Sequence, residues 1–389
     1  MSLVAPPLSL YVHIPWCVKK CPYCDFNSHA QNGVLPVDDY IGALLADLDR
    51  DLREFGGAVA DRPLHSVFFG GGTPSLFAPH AIARILDGVA SRLTVPHGIE
   101  VTLETNPGTV EHGRFDGYLR AGVNRLSFGV QSFDDDKLRR LGRIHSAADA
   151  ERAIKEAQDA GYDNFNLDLM YALPEQTLAG ALADVERALA LQPTHLSHYQ
   201  LTLEPNTVFA AKPPPLPDED SAWDMQEACQ QRLANAGFVQ YEVSAYAHDG
   251  RCSAHNLNYW GFGDYLGVGA GAHGKLSTGA NGRIVRTTKL KSPRSYLERF
   301  ARGEAFGTNA EVAPADLPFE FMMNALRLNE GVARVTFAQR TGMPEAMLDP
   351  TLAQATSRGW LVADTDRFAA TELGRRYLND VIGLFLPAR

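Results

Sequence analysis

Nowhere in the 389 residues does an apolar run approach the ~20 residues that a membrane-crossing helix needs, so no span is expected. Positive charge is in deficit as well. The 36 Lys and Arg face 46 Asp and Glu, a formal net charge of −10, which argues against a protein that coats nucleic acid through a broad basic surface. Cysteine is scarce, five residues in all, and Met1 to Pro7 is too short and uncharged to act as a secretory segment. A disulfide framework is therefore not expected, and a reducing, cytoplasmic setting is. The hydrophobic share of 45% and charged share of 21% are ordinary for a globular chain. Its length suggests two domains, or one large barrel with an appendage.

Three of the five cysteines are concentrated in one stretch. Tyr11-Val-His-Ile-Pro-Trp-Cys-Val-Lys-Lys-Cys-Pro-Tyr-Cys-Asp-Phe places Cys17, Cys21 and Cys24 at x3 and x2 spacing. Lys19, Lys20 and Asp25 among them argue for an exposed loop rather than buried thiols. Two metal chemistries suit such a loop. A closed Cys3His zinc site would recruit His13 or His29 and be inert. A four-iron cluster normally takes four thiolates, so three local thiols leave one iron free for another ligand. With the aromatic Tyr23 just before the third cysteine, the pattern resembles the signature of the radical S-adenosylmethionine (SAM) superfamily. That resemblance implies a 4Fe–4S cluster on Cys17, Cys21 and Cys24, with SAM on the fourth iron.

The remaining pattern alternates strand and helix. A strand at Leu8 to His13 precedes the loop, and Tyr40, Ile41, Leu44, Leu45, Leu48 and Leu52 form a helical stripe with Asp38 as its expected N-cap. Strands follow at residues 66–69, 100–104, 125–129, 164–169 and 195–201, with helices expected near 79–92 and 111–121 between them. About six β-α units fit before the proline-rich break at Lys212 to Pro217, fewer than a closed eight-fold barrel requires. The expected fold is α/β, a partial (β/α)6 barrel, which is also what the radical SAM resemblance implies. Three segments are expected: the barrel over residues 1–212, a barrel-completing extension over 213–307, and a small winged-helix-like α+β domain over 308–389. In the last, Phe319 to Leu328 read as a helix and Gly359 to Thr371 as a hairpin before a final helix. No dense basic cluster lies on its candidate helix, so a lid or docking role is expected rather than DNA binding.

In a parallel sheet, function collects at the carboxyl ends of the strands. Gly70-Gly-Gly-Thr73 ends one strand and lets backbone approach a ligand. Glu104, Gln131 and Asp168 lie at or near the ends of others, and a buried carboxylate needs a partner, which a ligand or merely local loop N–H groups would supply. The cysteine loop, Gly-Gly-Gly-Thr-Pro-Ser, Glu-Thr-Asn-Pro-Gly, Ser-Phe-Gly-Val-Gln-Ser and Asn-Leu-Asp-Leu-Met-Tyr-Ala-Leu-Pro together resemble the family of oxygen-independent coproporphyrinogen III oxidase and its relatives, over nearly the whole chain. By that resemblance Tyr11, Tyr23, Gly71, Gly72, Thr73, Glu104, Gln131, Arg143 and Asp168 are the SAM contacts. Two departures set the chain apart from the oxidase: Phe26 stands where that enzyme has a further cysteine, and only sixteen residues precede Cys17.

The segment Cys252-Ser-Ala-His-Asn-Leu-Asn-Tyr-Trp260 points to one branch. It resembles the His-Asn-x-x-Tyr-Trp motif of the HemW family of haem chaperones. Haem needs an axial donor and an apolar aromatic surface, for which His255, Tyr259 and Trp260 are the candidates. The bland alternative is a histidine hydrogen-bonded inside a turn beside two core aromatics. The function so implied is a carrier that binds haem and passes it to apo-haemoproteins, with SAM, a 4Fe–4S cluster and haem as cofactors. The alternative is radical oxidative decarboxylation of coproporphyrinogen III, and no catalytic residue separates the two. The acceptors are unidentified; a transiently met membrane-associated acceptor and a homodimeric state both stay open.

Overall fold

The structure is a computed structural model that describes residues 3–59, 61–109, 114–278 and 282–387. Its centre is β1 (Leu8–Ile14), where Leu8, Leu10, Val12 and Ile14 are almost wholly buried. They share a core with Tyr40, Ile41, Leu44 and Leu48 of helix α1 (Val37–Val59). Parallel strands follow in chain order across one side of β1: β2 (Leu64–Gly71), β3 (Glu100–Thr105), β4 (Arg125–Gln131), β5 (Phe165–Tyr171) and β6 (His195–Gln200). Six successive strands joined by outer helices make the partial (β/α)6 barrel that the sequence pattern implies. Beyond β6 the chain turns back as β7 (Val239–Glu242) and β8 (Ala245–Ala247), and β8 pairs antiparallel with β6.

A seventh parallel strand was not visible in the sequence pattern. β9 (Asp264–Val268) pairs with the free side of β1, and β10 (His273–Thr278), β11 (Arg283–Lys289) and β12 (Gly307–Glu311) continue antiparallel from it. Among the described residues the outermost strands, β12 and β7, do not pair with each other, so the sheet stays open. The extension is tied to α1 by buried charge. Lys289 on β11 donates to Asp47 and Asp51 at 2.6 Å each, and Tyr296 donates to Asp47 at 2.7 Å. Asp264 on β9 is likewise held by Lys275 and Arg62. Such charges are tolerated in a core only as satisfied clusters.

Strand alternation sends the other set of side chains into the barrel. There Ser9 and Ser66 hydrogen-bond, Tyr11 stacks on Phe68, and Asn166 bonds Ser127, Asp168 and His195. The interior is thus largely polar, unlike the apolar layers of a closed barrel.

The C-terminal segment has its own core of Leu317, Phe321, Phe337, Leu352, Phe368 and Val381, with Phe262 and Ile284 contributed by the extension. Two expectations need correction. α1 begins at Val37, so Asp38 lies inside its first turn and pairs with Arg84 rather than capping the helix. The expected hairpin is reduced to a single bridge between Leu361 and Ala370, because Arg367–Phe368 pairs instead with Val332–Ala333.

Candidate active site at the carboxyl ends of the strands

The cysteine loop is closed at its neck. Trp16–Cys17 pairs with His29–Ala30, through His29 N–H to Pro15 O at 2.7 Å and Gln31 N–H to Cys17 O at 2.7 Å. Lys20 ties the loop across, donating to Phe26 O and Ser28 O. The glycine run is stitched to the same neck: Gly72 N–H reaches Ile14 O at 2.8 Å and Thr73 N–H reaches Trp16 O at 2.7 Å. Glycine is obligatory there. Gly71 has φ +111°, and a Cβ on Gly72 would lie 2.6 Å from Trp16 O.

Beside this neck is a cavity of about 620 Å³. Cys17, Cys21, Tyr23 and Cys24 line it from the loop, and Gly71, Gly72 and Thr73 from the end of β2. Glu104, Gln131 and Asp168 line it from β3, β4 and β5, joined by Arg143. Glu104 accepts Gly71 N–H at 3.1 Å. Burial, reinforced by the nearby Asp168 carboxylate, pushes the Glu104 carboxyl up to about 8, and burial raises Asp168 too. Arg143 donates to Gly129 O and lies 3.7 Å from Cys21 Sγ. Gln131 sits at φ +70°, unusual for a residue with a side chain, and its Oε1 accepts from Tyr199 at 2.9 Å. The turn behind it is clamped by Asp184, which accepts Phe133 N–H at 2.6 Å and the Ser132 hydroxyl.

The loop does not offer a closed zinc site. His13 has both ring nitrogens engaged, with Tyr11 and Asn27 O, and burial lowers it to about 4. His29 Nε2 is engaged with Lys291 O. No three His, Cys, Asp or Glu side chains among the described residues converge on a single-ion site. Burial raises the Cys17 and Cys24 thiols above their ordinary value.

Residues 11–188 match the Radical SAM superfamily and residues 312–377 the HemN C-terminal domain. A protein of Haemophilus influenzae named heme chaperone HemW is 51% identical, covering 98% of both chains. An Escherichia coli protein of the same name is 52% identical, again over 98% of both. The chain belongs to the HemW family. A mouse relative, radical S-adenosyl methionine domain-containing protein 1, mitochondrial, is 39% identical over 85% of this chain and 75% of its own. The solved structure of the Escherichia coli coproporphyrinogen III oxidase HemN overlays with a TM-score of 0.81 at 23% identity, covering 98% of this chain and 90% of that one, a likeness of fold.

The radical SAM membership of the HemW family implies SAM and a 4Fe–4S cluster. The residues present fit both: three thiols face one cavity, beside a glycine cradle that a Cβ would fill and a carboxylate floor suited to hydroxyl and cationic groups.

Two sets of expected site residues are placed differently. Tyr11 does not line the cavity. It lies one layer down, beneath Gly70, with its ring on Phe68 and its hydroxyl on His13. His255, Tyr259 and Trp260 lie on the helix Ala254–Trp260, which packs against β1, β2 and β9 near Ser9 and Ser66, toward the amino ends of β1 and β2. His255 is 8% exposed, stacks on Phe68 at 4.9 Å, and its Nδ1 meets Ser66 Oγ at 3.3 Å. Tyr259 packs between Trp260 and Tyr265. Where an open aromatic face with an axial donor was expected, the structure has an inward-facing histidine, because Glu100 accepts the N–H groups of Ala254 and His255 and so turns the helix start toward the barrel. Sequence reasoning also missed Lys19, Phe26, Tyr199, Thr202, Glu204 and Arg327, all of which line the cavity. Of these, Lys19, within the cysteine loop, and Phe26, noted as a departure, carried a signal.

Proposed function

We propose that this chain binds haem and delivers it to apo-haemoproteins, and that it carries a SAM-ligated 4Fe–4S cluster. The observation that carries this reading is identity above 50% to two proteins named heme chaperone HemW, end to end, on a chain whose cysteine loop faces a SAM-sized cavity. In this reading Cys17, Cys21 and Cys24 hold three irons as thiolates. Gly71, Gly72 and Thr73 present backbone to the amino acid part of SAM, with Glu104 behind them and Arg143 beside the cluster. Gln131 and Asp168 meet its hydroxyls, Tyr23 shields the cluster, and Tyr11 supports Gly70 from below. When bound, the cluster supplies one-electron chemistry and an iron that chelates SAM. A cytoplasmic setting suits the reduced thiols, and no helix among the described residues is long and apolar enough to cross a membrane. The decarboxylase alternative rests on a fold likeness at 23% identity, which speaks to architecture alone.

The test is an anaerobic haem titration of the cluster-reconstituted chain, followed by transfer to an apo-haemoprotein such as apomyoglobin. One saturable site and haem transfer faster than from free protein-adsorbed haem are expected. Non-saturating uptake without transfer refutes the carrier. His255→Ala in the same assay decides the axial donor. A changed haem spectrum assigns it to His255, which then must leave its seat on Phe68; an unchanged spectrum leaves His255 as the packed histidine seen here.

A further inference from the structure

One wall of the cavity comes from the C-terminal segment. Arg327 follows helix Leu317–Ala325, and its neighbour Leu328 bridges to Glu242 at the end of β7, which fixes the backbone at that point. The guanidinium lies over Trp260, 4.2 Å from the ring centroid, and Nη2 donates to Glu242 at 3.1 Å, while the side chain still lines the cavity. Its Nε is buried without a hydrogen-bond partner among the described residues. Glu242 does not depend on this arginine alone, because Ser244 donates to it through both N–H and hydroxyl.

An arginine held against an aromatic ring, with most of its five N–H donors unused, is a preorganised receptor for a planar anion, above all a carboxylate. Of the other cations at this cavity, Arg143 is bound to Gly129 O beside Cys21, where a group gripping the cluster would lie, and Lys19 belongs to the exposed loop. Arg327 belongs to neither. It stands instead on Trp260, which packs on Tyr259 and through it on Tyr265.

We propose that Arg327 is a carboxylate subsite at the edge of the cavity and holds a propionate of a dicarboxylic metallotetrapyrrole. The subsite joins the C-terminal segment, the His-Asn-x-x-Tyr-Trp helix and the SAM cavity in one ligand contact. It rests on the haem-carrier reading, and the experiment separates the two.

The cluster-reconstituted full chain is titrated anaerobically with haemin and with its dimethyl ester, which keeps the iron and ring but lacks the carboxylates. SAM binding is measured by equilibrium dialysis alongside. The wild type is expected to prefer the diacid by about tenfold or more, the size of one charge-assisted hydrogen bond set. Glu242→Gln combined with Arg327→Gln, which avoids leaving Glu242 without its cation, should lose that preference while diester and SAM affinities stay unchanged. Arg327→Lys, which keeps the charge and the fold, should retain part of it. Equal affinity for diacid and diester in the wild type, or an undiminished preference in the double variant, overturns the subsite. A loss of SAM binding in the double variant reassigns the carboxylate to SAM and also overturns it. Failure of the wild type to saturate with either compound sinks the haem reading itself.

Discussion

Glu104 offers the sharpest test of the cavity's electrostatics. Its carboxyl is pushed from about 4.5 up to about 8 by burial and by Asp168, so the folded, ligand-free chain binds that proton more tightly than the unfolded chain does. The sign follows directly. The contribution to stability is neutral below pH 4.5, where both states are protonated, and becomes increasingly unfavourable as pH rises toward 8. At about 1.36 kcal/mol per unit, the full shift corresponds to about 5 kcal/mol, and water in the open cavity screens part of it, so about 2 kcal/mol is the working figure. Glu104→Gln keeps an acceptor for Gly71 N–H, which sits 3.1 Å away, and removes the charge. The variant should therefore be more stable than the wild type in its cluster-free form. The margin should be small at pH 5 and grow to about 2 kcal/mol near pH 8, read from denaturant midpoints. In the same variant SAM binding to the cluster-loaded chain should weaken about tenfold or more, the loss of one charge-assisted hydrogen bond. A variant less stable than the wild type, or a margin that does not change with pH, would refute the reading that burial and Asp168 disfavour ionisation of this carboxyl.

Other perturbations follow from the same geometry. Gly72→Ala places a Cβ against Trp16 O and Ile14 O, both backbone, so it should part the glycine run from the cysteine loop and lower SAM affinity at least tenfold in equilibrium dialysis, while far-ultraviolet circular dichroism stays unchanged. Lys289→Met leaves Asp47 and Asp51 facing each other in the core and should cost about 3 kcal/mol or more in denaturant unfolding at pH 8. Burial already raises Asp51 to about 6, so the loss should shrink at pH 5 as it protonates. Asp184→Ala removes the clamp on Ser132 and Phe133, and should relax Gln131 from its φ of +70°, weakening SAM binding measurably although Asp184 does not line the cavity.

What the sequence disclosed and what it hid divide along a physical line. The cysteine loop and Gly71 to Thr73 were legible because their chemistry is local: spacing along the chain sets which backbone groups and thiols meet, and the end of a strand points them outward. Glu104 and Gln131 were legible for the same reason, at or next to the carboxyl ends of their strands, and Asp168 as a carboxylate in the middle of an apolar one. Arg327 was not, since nothing around residue 327 distinguishes an arginine that lines a cavity from a solvated one; only the bridge from Leu328 to Glu242 brings it there. The His-Asn-x-x-Tyr-Trp segment shows the opposite failure. Its residue types suit haem, yet Glu100, 155 positions earlier than His255, captures the helix start and turns the imidazole onto Phe68. A local motif names the groups available, and long-range contacts decide which way they face. The partial barrel makes that decision unusually consequential, because its open interior is lined by polar side chains that compete for the same donors. Tyr241 accepts from Ser253 N–H and meets His195, which meets Asn166, which meets Asp168, so the helix that bears His255 and the floor of the cavity belong to one hydrogen-bonded interior. To leave its seat and bind a metal, His255 would have to give up its Ser66 hydrogen bond and its stack on Phe68, and the energy for that must come from the ligand it meets outside.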